Sequence, residues 1–289
     1  MNDDNPLTTL GDHTKPAGTL IEKISDVLGG IFKPWQIVRV ARAEAEASQI
    51  QAEGQIKVED IQRRAFRRFL EEEAKKQQNI EAITKKALPL LENKSAPQNM
   101  ADDWITNFFD KSRIVSDSDM QQLWSRVLAG EANSPGAFAK KTVNLLADLD
   151  KSDAELFTNL CGFTWQITTL VPLVFDVPHE LYDRFGINFN TLAHLETLGL
   201  LKFAAIGDFH RDNLPKITTA IYYGRSTNIT FPFEINNQLD IGKVLFTRAG
   251  QELASVCGSK PVEGFFDFVY DRWASESLVP RRESEQSTG

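Results

Sequence analysis

The chain has 289 residues, 42% of them hydrophobic, and a formal net charge of -8, enough for two compact domains plus an extended element. No module is basic enough to neutralise a phosphate backbone: residues 1–97 carry 15 basic and 15 acidic groups, residues 98–177 carry 6 and 11, and residues 178–260 carry 8 and 8. No apolar run reaches the roughly 20 residues of a spanning helix, and an N-terminus opening on Asp3 and Asp4 does not read as a signal peptide. A cytoplasmic chain, at most peripheral at the inner membrane, is the expectation.

Residues 1–18 are polar and expected to be disordered. Over 19–34 the spacing predicts an amphipathic helix, with Leu20, Ile21, Ile24, Val27, Leu28 and Ile31 on one face. Gly29, Gly30 and Pro34 interrupt it before Trp35. Two roles compete for that face. In one, Leu20, Ile24, Leu28, Ile31, Phe32 and Trp35 meet a membrane surface or a partner. In the other, the helix packs on its own protein, which the equal acids and bases on the polar face favour.

Residues 35–92 read as one long self-associating helix. From Trp35 to Leu88 there is no Pro and only one Gly, Gly54, and strong helix formers dominate. Some 50 helical residues would span about 80 Å, too long to bury in one small domain. Stepping by 4, 3, 4 places Ala43, Ala47, Ile50, Gly54, Val58, Ile61, Ala65, Phe69, Ile80, Ile83 and Ala87 on one stripe, interrupted only by Glu72 and Lys76. Eleven residues in three turns keep such a stripe nearly straight. The expectation is lateral packing of several copies through Ala43, Ala47, Ile50, Gly54, Val58, Ile61, Ala65, Phe69, Ile80 and Ile83; the alternative is a helix folded over its own C-terminal domains. Arg63, Arg64, Arg67 and Arg68, with Phe66 and Phe69 interleaved, form a basic patch that could hold an anion. Flanking Glu59, Asp60, Glu71, Glu72 and Glu73 favour a salt-bridged face instead.

Pro89 closes this helix and Pro97 marks a linker. Over 98–177 a helical bundle is expected. Trp104, Ile105, Phe108 and Phe109 share one helix; Ser116 or Asp117 caps a second that carries Trp124 and Leu128 and ends at Gly130; a third follows Ser134-Pro135; Ser152 to Glu155 opens a fourth. Over 178–260 the pattern changes. A short helix from Pro178 and a second, capped by Asn190, precede β-rich pieces at 217–223, 228–235 and 243–247. The phrase Leu195 to Leu201, then strands, then Thr247-Arg-Ala-Gly250 resembles winged-helix domains. The exposed set expected on the second helix, Asn188, Asn190, Thr191, His194, Glu196 and Thr197, lacks Arg and Lys, which disfavours base reading. A C-terminal helix over 261–279 and a disordered tail over 280–289 complete the expectation.

No catalytic constellation emerges. His210-Arg211-Asp212 reads as a turn before Pro215, and the four histidines show no metal spacing, so no metal and no cofactor is expected. Asp148, Asp150 and Asp153 fit helix caps better than a cation site. Cys161 and Cys257 sit far apart in apolar stretches and read as buried, reduced thiols.

The stretch from Leu123 through Trp-Ser-Arg-Val-Leu-Ala-Gly-Glu131 to Phe138, continued at Leu145 to Leu149 and Ala154 to Phe157, resembles a widespread uncharacterised bacterial family, a domain of unknown function. It is more weakly similar to abortive-infection proteins. That resemblance implies a role in phage defence and transfers no catalytic residue.

The reading is therefore a mainly α chain: a long N-terminal helix, a helical bundle domain and a C-terminal winged-helix-like α+β domain. Its expected function is non-enzymatic homo-oligomeric assembly, with itself as partner and a membrane surface or defence protein as further partners. The alternative is a winged-helix nucleic-acid-binding regulator.

Overall fold

A computed structural model describes residues 15–29 and 60–281. Two compact units meet in the chain between Ala147 and Asp148.

The first unit is helical. Helix α1 spans Lys15–Val27, starting earlier than the apolar stripe predicts. Helix α2 spans Asp60–Ala87, followed by short turns at Leu88–Leu90 and Pro97–Asn99. Helices α3 (Asp102–Ser112), α4 (Ser118–Asn133) and α5 (Lys140–Ala147) complete it. Asp117 caps α4, its Oδ1 accepting the N–H groups of Asp119 at 2.9 Å and Met120 at 3.0 Å. Gly130 does not end that helix; the last turn runs on to Asn133, where the N–H of Ser134 reaches back to the Gly130 carbonyl at 3.0 Å.

Aromatic rings fill the centre of this unit. Phe108 stacks on Trp104 and meets Trp124 edge-on, each at 5.1 Å between centroids. The Trp-Ser-Arg-Val-Leu-Ala-Gly-Glu phrase is explained by packing. Trp124, Ser125, Val127 and Leu128 are buried, and Ser125 Oγ donates to the Gln121 carbonyl at 2.6 Å. Glu131, also buried, accepts the N–H of Gly136 at 2.7 Å and of Phe138 at 2.9 Å, one on each carboxylate oxygen. The turn so clamped brings the Phe138 carbonyl to Trp104 Nε1 at 2.7 Å.

The second unit mixes helices and strands. Helix α6 (Lys151–Cys161) begins at Asp150, whose N–H donates to Asp153 Oδ2 at 3.2 Å, so the Asp150 to Asp153 pair acts as a cap. Strands β1 (Thr164–Ile167) and β2 (Thr169–Pro172) form a tight hairpin. Helices α7 (Glu180–Asp183) and α8 (Phe189–Thr197) follow; Asn188, not Asn190, caps α8, exchanging bonds with Thr191 at 3.2 and 2.9 Å. Next come β3 (Leu201–Phe203), β4 (Phe209–Leu214), β5 (Ile217–Tyr222), β6 (Arg225–Thr230), β7 (Asn237–Gly242) and β8 (Val244–Phe246). Helix α9 (Arg248–Ala254) and helix α10 (Phe265–Ser275) close the unit.

The strands form an antiparallel sheet in the order β2-β1-β5-β6 and two separate antiparallel pairs, β3 with β8 and β4 with β7. Residues Tyr223 and Gly224, both at positive φ, make the two-residue turn that joins β5 to β6. The core stacks Tyr222 and Phe266 against Trp165 at 5.2 Å, with Trp273 edge-on at 5.0 Å. Thr247 caps α9, its Oγ1 accepting the Gly250 N–H at 3.1 Å.

This architecture is α+β and corrects the expectation of a mainly α chain with a long N-terminal helix. Strands β1 and β2 lie inside the stretch assigned to the helical bundle, and the supposed turn at His210-Arg211-Asp212 is the middle of β4. Residues 164–169 alternate polar side chains with β-branched or aromatic ones, a period of two that a short strand carries and a helix does not. The helix that is described has 28 residues. The rest of the long element expected over 35–92, from 35 to 59, lies outside the described residues, as do the segments 1–14 and 282–289.

Candidate functional site

Among the described residues no group of His, Cys, Asp and Glu could hold a metal ion, and no helix is long and apolar enough to cross a membrane. His194 Nε2 lies 2.8 Å from Asp153 Oδ1, but Asp153 is already engaged as the α6 cap, so the pair joins α8 to α6. The surface that stands apart is one face of α2.

The last turns of α2 are clamped into the first unit. Asn79, Ile80, Ile83, Thr84 and Ala87 are buried, and α2 packs along α4 and touches α3. Polar bonds fix the register: Asn79 Nδ2 donates to the Arg113 carbonyl at 2.9 Å, and Lys86 Nζ donates to the Ser118 carbonyl at 3.0 Å and Gln121 Oε1 at 3.1 Å. Every residue from Asp60 to Phe69 is exposed, and exposure continues over most positions to Gln78. Roughly 27 Å of helix lies between Asp60 and Gln78 at 1.5 Å per residue.

Beyond Glu72 and Lys76, which interrupt it, the apolar face returns where α2 is exposed. At 100° per residue, Ile61, Ala65, Phe69 and Phe66 occupy the same arc of α2 that Asn79, Ile83, Ala87, Ile80 and Thr84 occupy four to five turns later. Ile61 is 61% exposed, Phe69 55% and Phe66 41%. Composition and ion pairs support the helical form of the exposed half. Arg67 meets Glu71 at 3.1 Å, Arg68 meets Glu72 at 3.4 Å, Lys76 meets Glu73 at 2.6 Å, and Arg63 pairs with Asp60.

The residues singled out from the sequence fall in three places. Of the oligomerisation stripe, Ile61, Ala65 and Phe69 form the exposed face, whereas Ile80 and Ile83 are buried against the chain's own helices. Ala43, Ala47, Ile50, Gly54 and Val58 lie outside the described residues. Of the membrane or partner set, Leu20 and Ile24 are buried against the turn at Pro97–Asn99 and α3, with Lys23 Nζ tied to Asp102 Oδ1 at 2.5 Å. Leu28 is half-buried, and Ile31, Phe32 and Trp35 lie outside the described residues. This face of α1 is thus covered by the protein itself. Three of the four arginines read as an anion patch, Arg63, Arg67 and Arg68, are engaged in ion pairs on α2, with Arg64 exposed between them.

Phe66 was read from the sequence only as an aromatic between arginines. Its place on the apolar arc was legible from the helical angle it shares with Thr84. The proximity of Cys161 and Cys257 had no local signal at all.

No curated protein and no solved structure matches the chain. A family model does. The match opens at Arg63, on the exposed half of α2, and closes at Tyr270 within α10, so it takes in parts of both units. With residues 63–270 covered, the chain belongs to the family described as "Protein of unknown function (DUF2806)".

Proposed function

We propose that the chain is a non-enzymatic assembly protein whose copies join through the exposed face of α2. The observation that carries this reading is that one arc of α2, buried at Ile83, carries exposed apolar residues at Ile61, Phe66 and Phe69 on the far side of Glu72 and Lys76. Burying a side chain of this size is worth about 1.5–3 kcal/mol, so several such residues on one rigid face favour an occupant.

A second copy of α2 fits that face by charge. Arg63, Arg64, Arg67 and Arg68 precede the acidic run Glu71, Glu72 and Glu73. Two helices laid antiparallel about Phe69 and Leu70 bring Arg67 and Arg68 of one beside Glu72 and Glu71 of the other, while Arg63 and Arg64 fall opposite Lys76 and Lys75; a parallel pair sets every like charge beside like. The isologous arrangement also puts the two apolar arcs face to face. The reading uses no lipid anchor in α1, since Leu20 and Ile24 already pack inside the first unit.

Cross-linking tests the reading. Full-length Ala65→Cys and Glu73→Cys proteins, mixed and treated with a short thiol-specific cross-linker, are expected to give a covalent dimer between the two variants. Cross-links confined to Ala65→Cys alone would overturn the antiparallel pairing, and none in any mixture would overturn the assembly.

We further propose phage defence as the setting for this assembly, on the weak resemblance to abortive-infection proteins that the Trp124 phrase carries in the sequence. Phage plating on a bacterial host carrying the chain is expected to fall, and to recover with Ile61→Glu/Phe69→Glu. Equal plating with and without the chain would remove the defence role.

A further inference from the structure

Cys161 ends α6 and Cys257 follows α9, and four elements of the second unit bring them together. Tyr222 Oη donates to the Gly162 carbonyl at 2.7 Å and accepts the Val262 N–H at 2.7 Å. Its neighbour Tyr223 donates to the Cys161 carbonyl at 3.1 Å, which leaves Ser259 as the donor in their 2.6 Å hydroxyl contact. Two consecutive tyrosines at the β5–β6 turn therefore stitch residues 161–162 to residues 259–262. The segments lie so close that a Cβ on Gly162 would come within 3.0 Å of the Lys260 carbonyl oxygen and 3.1 Å of Val262 Cγ2. Within this junction the Cys161 and Cys257 thiols are near enough to interact, with no disulfide between them, and Cys257 Sγ donates to the Ala254 carbonyl at 3.5 Å.

We propose that Cys161 and Cys257 form a redox-active dithiol that peroxide closes to an intramolecular disulfide, fastening the end of α6 to the segment after α9. The stitching by Tyr222 and Tyr223 sets the geometry, since two segments already held side by side can bring their sulfurs to bonding distance without a large backbone movement. Cys257, 6% exposed against 1% for Cys161, is the sulfur a small oxidant reaches first. Its thiolate attacks one peroxide oxygen, the O–O bond breaks, and the departing hydroxide takes up a proton as water. The Cys161 sulfur then attacks the sulfur of the resulting sulfenic acid; the S–S bond forms, the S–O bond breaks, and the hydroxyl leaves as a second water with the Cys161 proton. Two thiols lose two electrons in all, and one peroxide becomes two waters.

Burial pushes the Cys161 thiol well above its ordinary value, with the hydrogen bond to Cys257 adding to the rise, so Cys161 keeps its proton and serves as the resolving group. Burial slows the first step compared with an exposed thiolate; proximity makes the second fast once the first has occurred.

The test uses the full chain in native buffer. After hydrogen peroxide, the protein is alkylated in denaturant and mapped by peptide mass. The expected result is a linked pair of peptides carrying Cys161 and Cys257, lighter by two hydrogen atoms, with both alkylation sites lost together and restored by dithiothreitol. The oxidised form is expected to melt at a higher temperature. Tyr223→Phe, which removes the hydroxyl between Cys161 and Ser259, is expected to close several-fold more slowly. Two intact thiols under peroxide that does oxidise the denatured chain would overturn the proposal. So would Cys257 accumulating as sulfinic acid with no linked peptide.

Discussion

Phe69 and Ile83 stand on the same face of one helix, yet Ile83 is fully buried against α3 and α4 while Phe69 is 55% exposed to water. The helix is the same, the periodicity is the same, and only the covering elements end. A face that water tolerates poorly at one end is not better tolerated at the other. An apolar patch of this kind, rimmed by charged residues, marks an interaction surface.

Charge order sets the direction of the pairing. Arg68→Glu alone and Glu71→Arg alone are each expected to weaken self-association, because each sets like charges together across an antiparallel pair centred on Phe69 and Leu70 as well as within the helix, where Arg68 meets Glu72 at 3.4 Å and Arg67 meets Glu71 at 3.1 Å. The two combined in one chain restore opposite partners and are expected to recover wild-type association. Dilution series followed by light scattering check this; a double variant no better than either single one contradicts the antiparallel arrangement.

Glu131 holds two backbone N–H groups, those of Gly136 and Phe138, from a buried position. Removing this charged acceptor leaves the buried Phe138 N–H without a partner and the exposed Gly136 N–H to water, at a cost of about 2–3 kcal/mol for Glu131→Ala. Glu131→Gln keeps one acceptor oxygen and is expected to lose about half as much. Urea denaturation followed by tryptophan fluorescence reads the difference, since Trp104 and Trp124 lie in the same unit.

Gly250 admits no side chain. A Cβ there would stand 1.9 Å from the Leu200 carbonyl oxygen, a backbone atom held by the Thr247 N–H at 3.1 Å. Gly250→Ala is therefore expected to destabilise the second unit by about 3 kcal/mol or more. Thr247→Ala, which loses the cap on α9, is expected to cost about 1 kcal/mol, and Thr247→Ser to keep most of it. Thermal melts of the three variants order them.

Helix α8 exposes Phe189, Asn190, His194 and Thr197, with no Arg or Lys among them. Binding to duplex DNA through this helix would lack the cations that release counterions. The full chain is expected to leave duplex DNA unshifted in a mobility assay at physiological salt; a shift that falls steeply with added salt would favour a nucleic-acid regulator instead.

Much of the local structure was legible before the fold. A cap at Ser116 or Asp117, which Asp117 fills, the helix through Trp124 and the Thr247-to-Gly250 turn all depend on side chains acting within a few residues. Boundaries that tertiary contact decides were not. The β1–β2 hairpin is only four residues a strand, too short for its alternation to stand out beside the helical pattern through Phe163. The stripe on α2 reads identically whether Ile83 meets its own α4 or Phe69 meets another copy, so sequence could not divide it. The thiol pair was invisible because Tyr222 and Tyr223, themselves distant from both cysteines, make the junction.

Sedimentation velocity of the full chain beside Ile61→Glu/Phe69→Glu, each at tens of micromolar, tests the central claim most directly. The account predicts a dimer or larger species for the wild type and a monomer of unchanged melting temperature for the variant, since both substitutions fall on exposed positions. A wild-type chain that sediments as a monomer, or a variant that assembles as the wild type does, would contradict it.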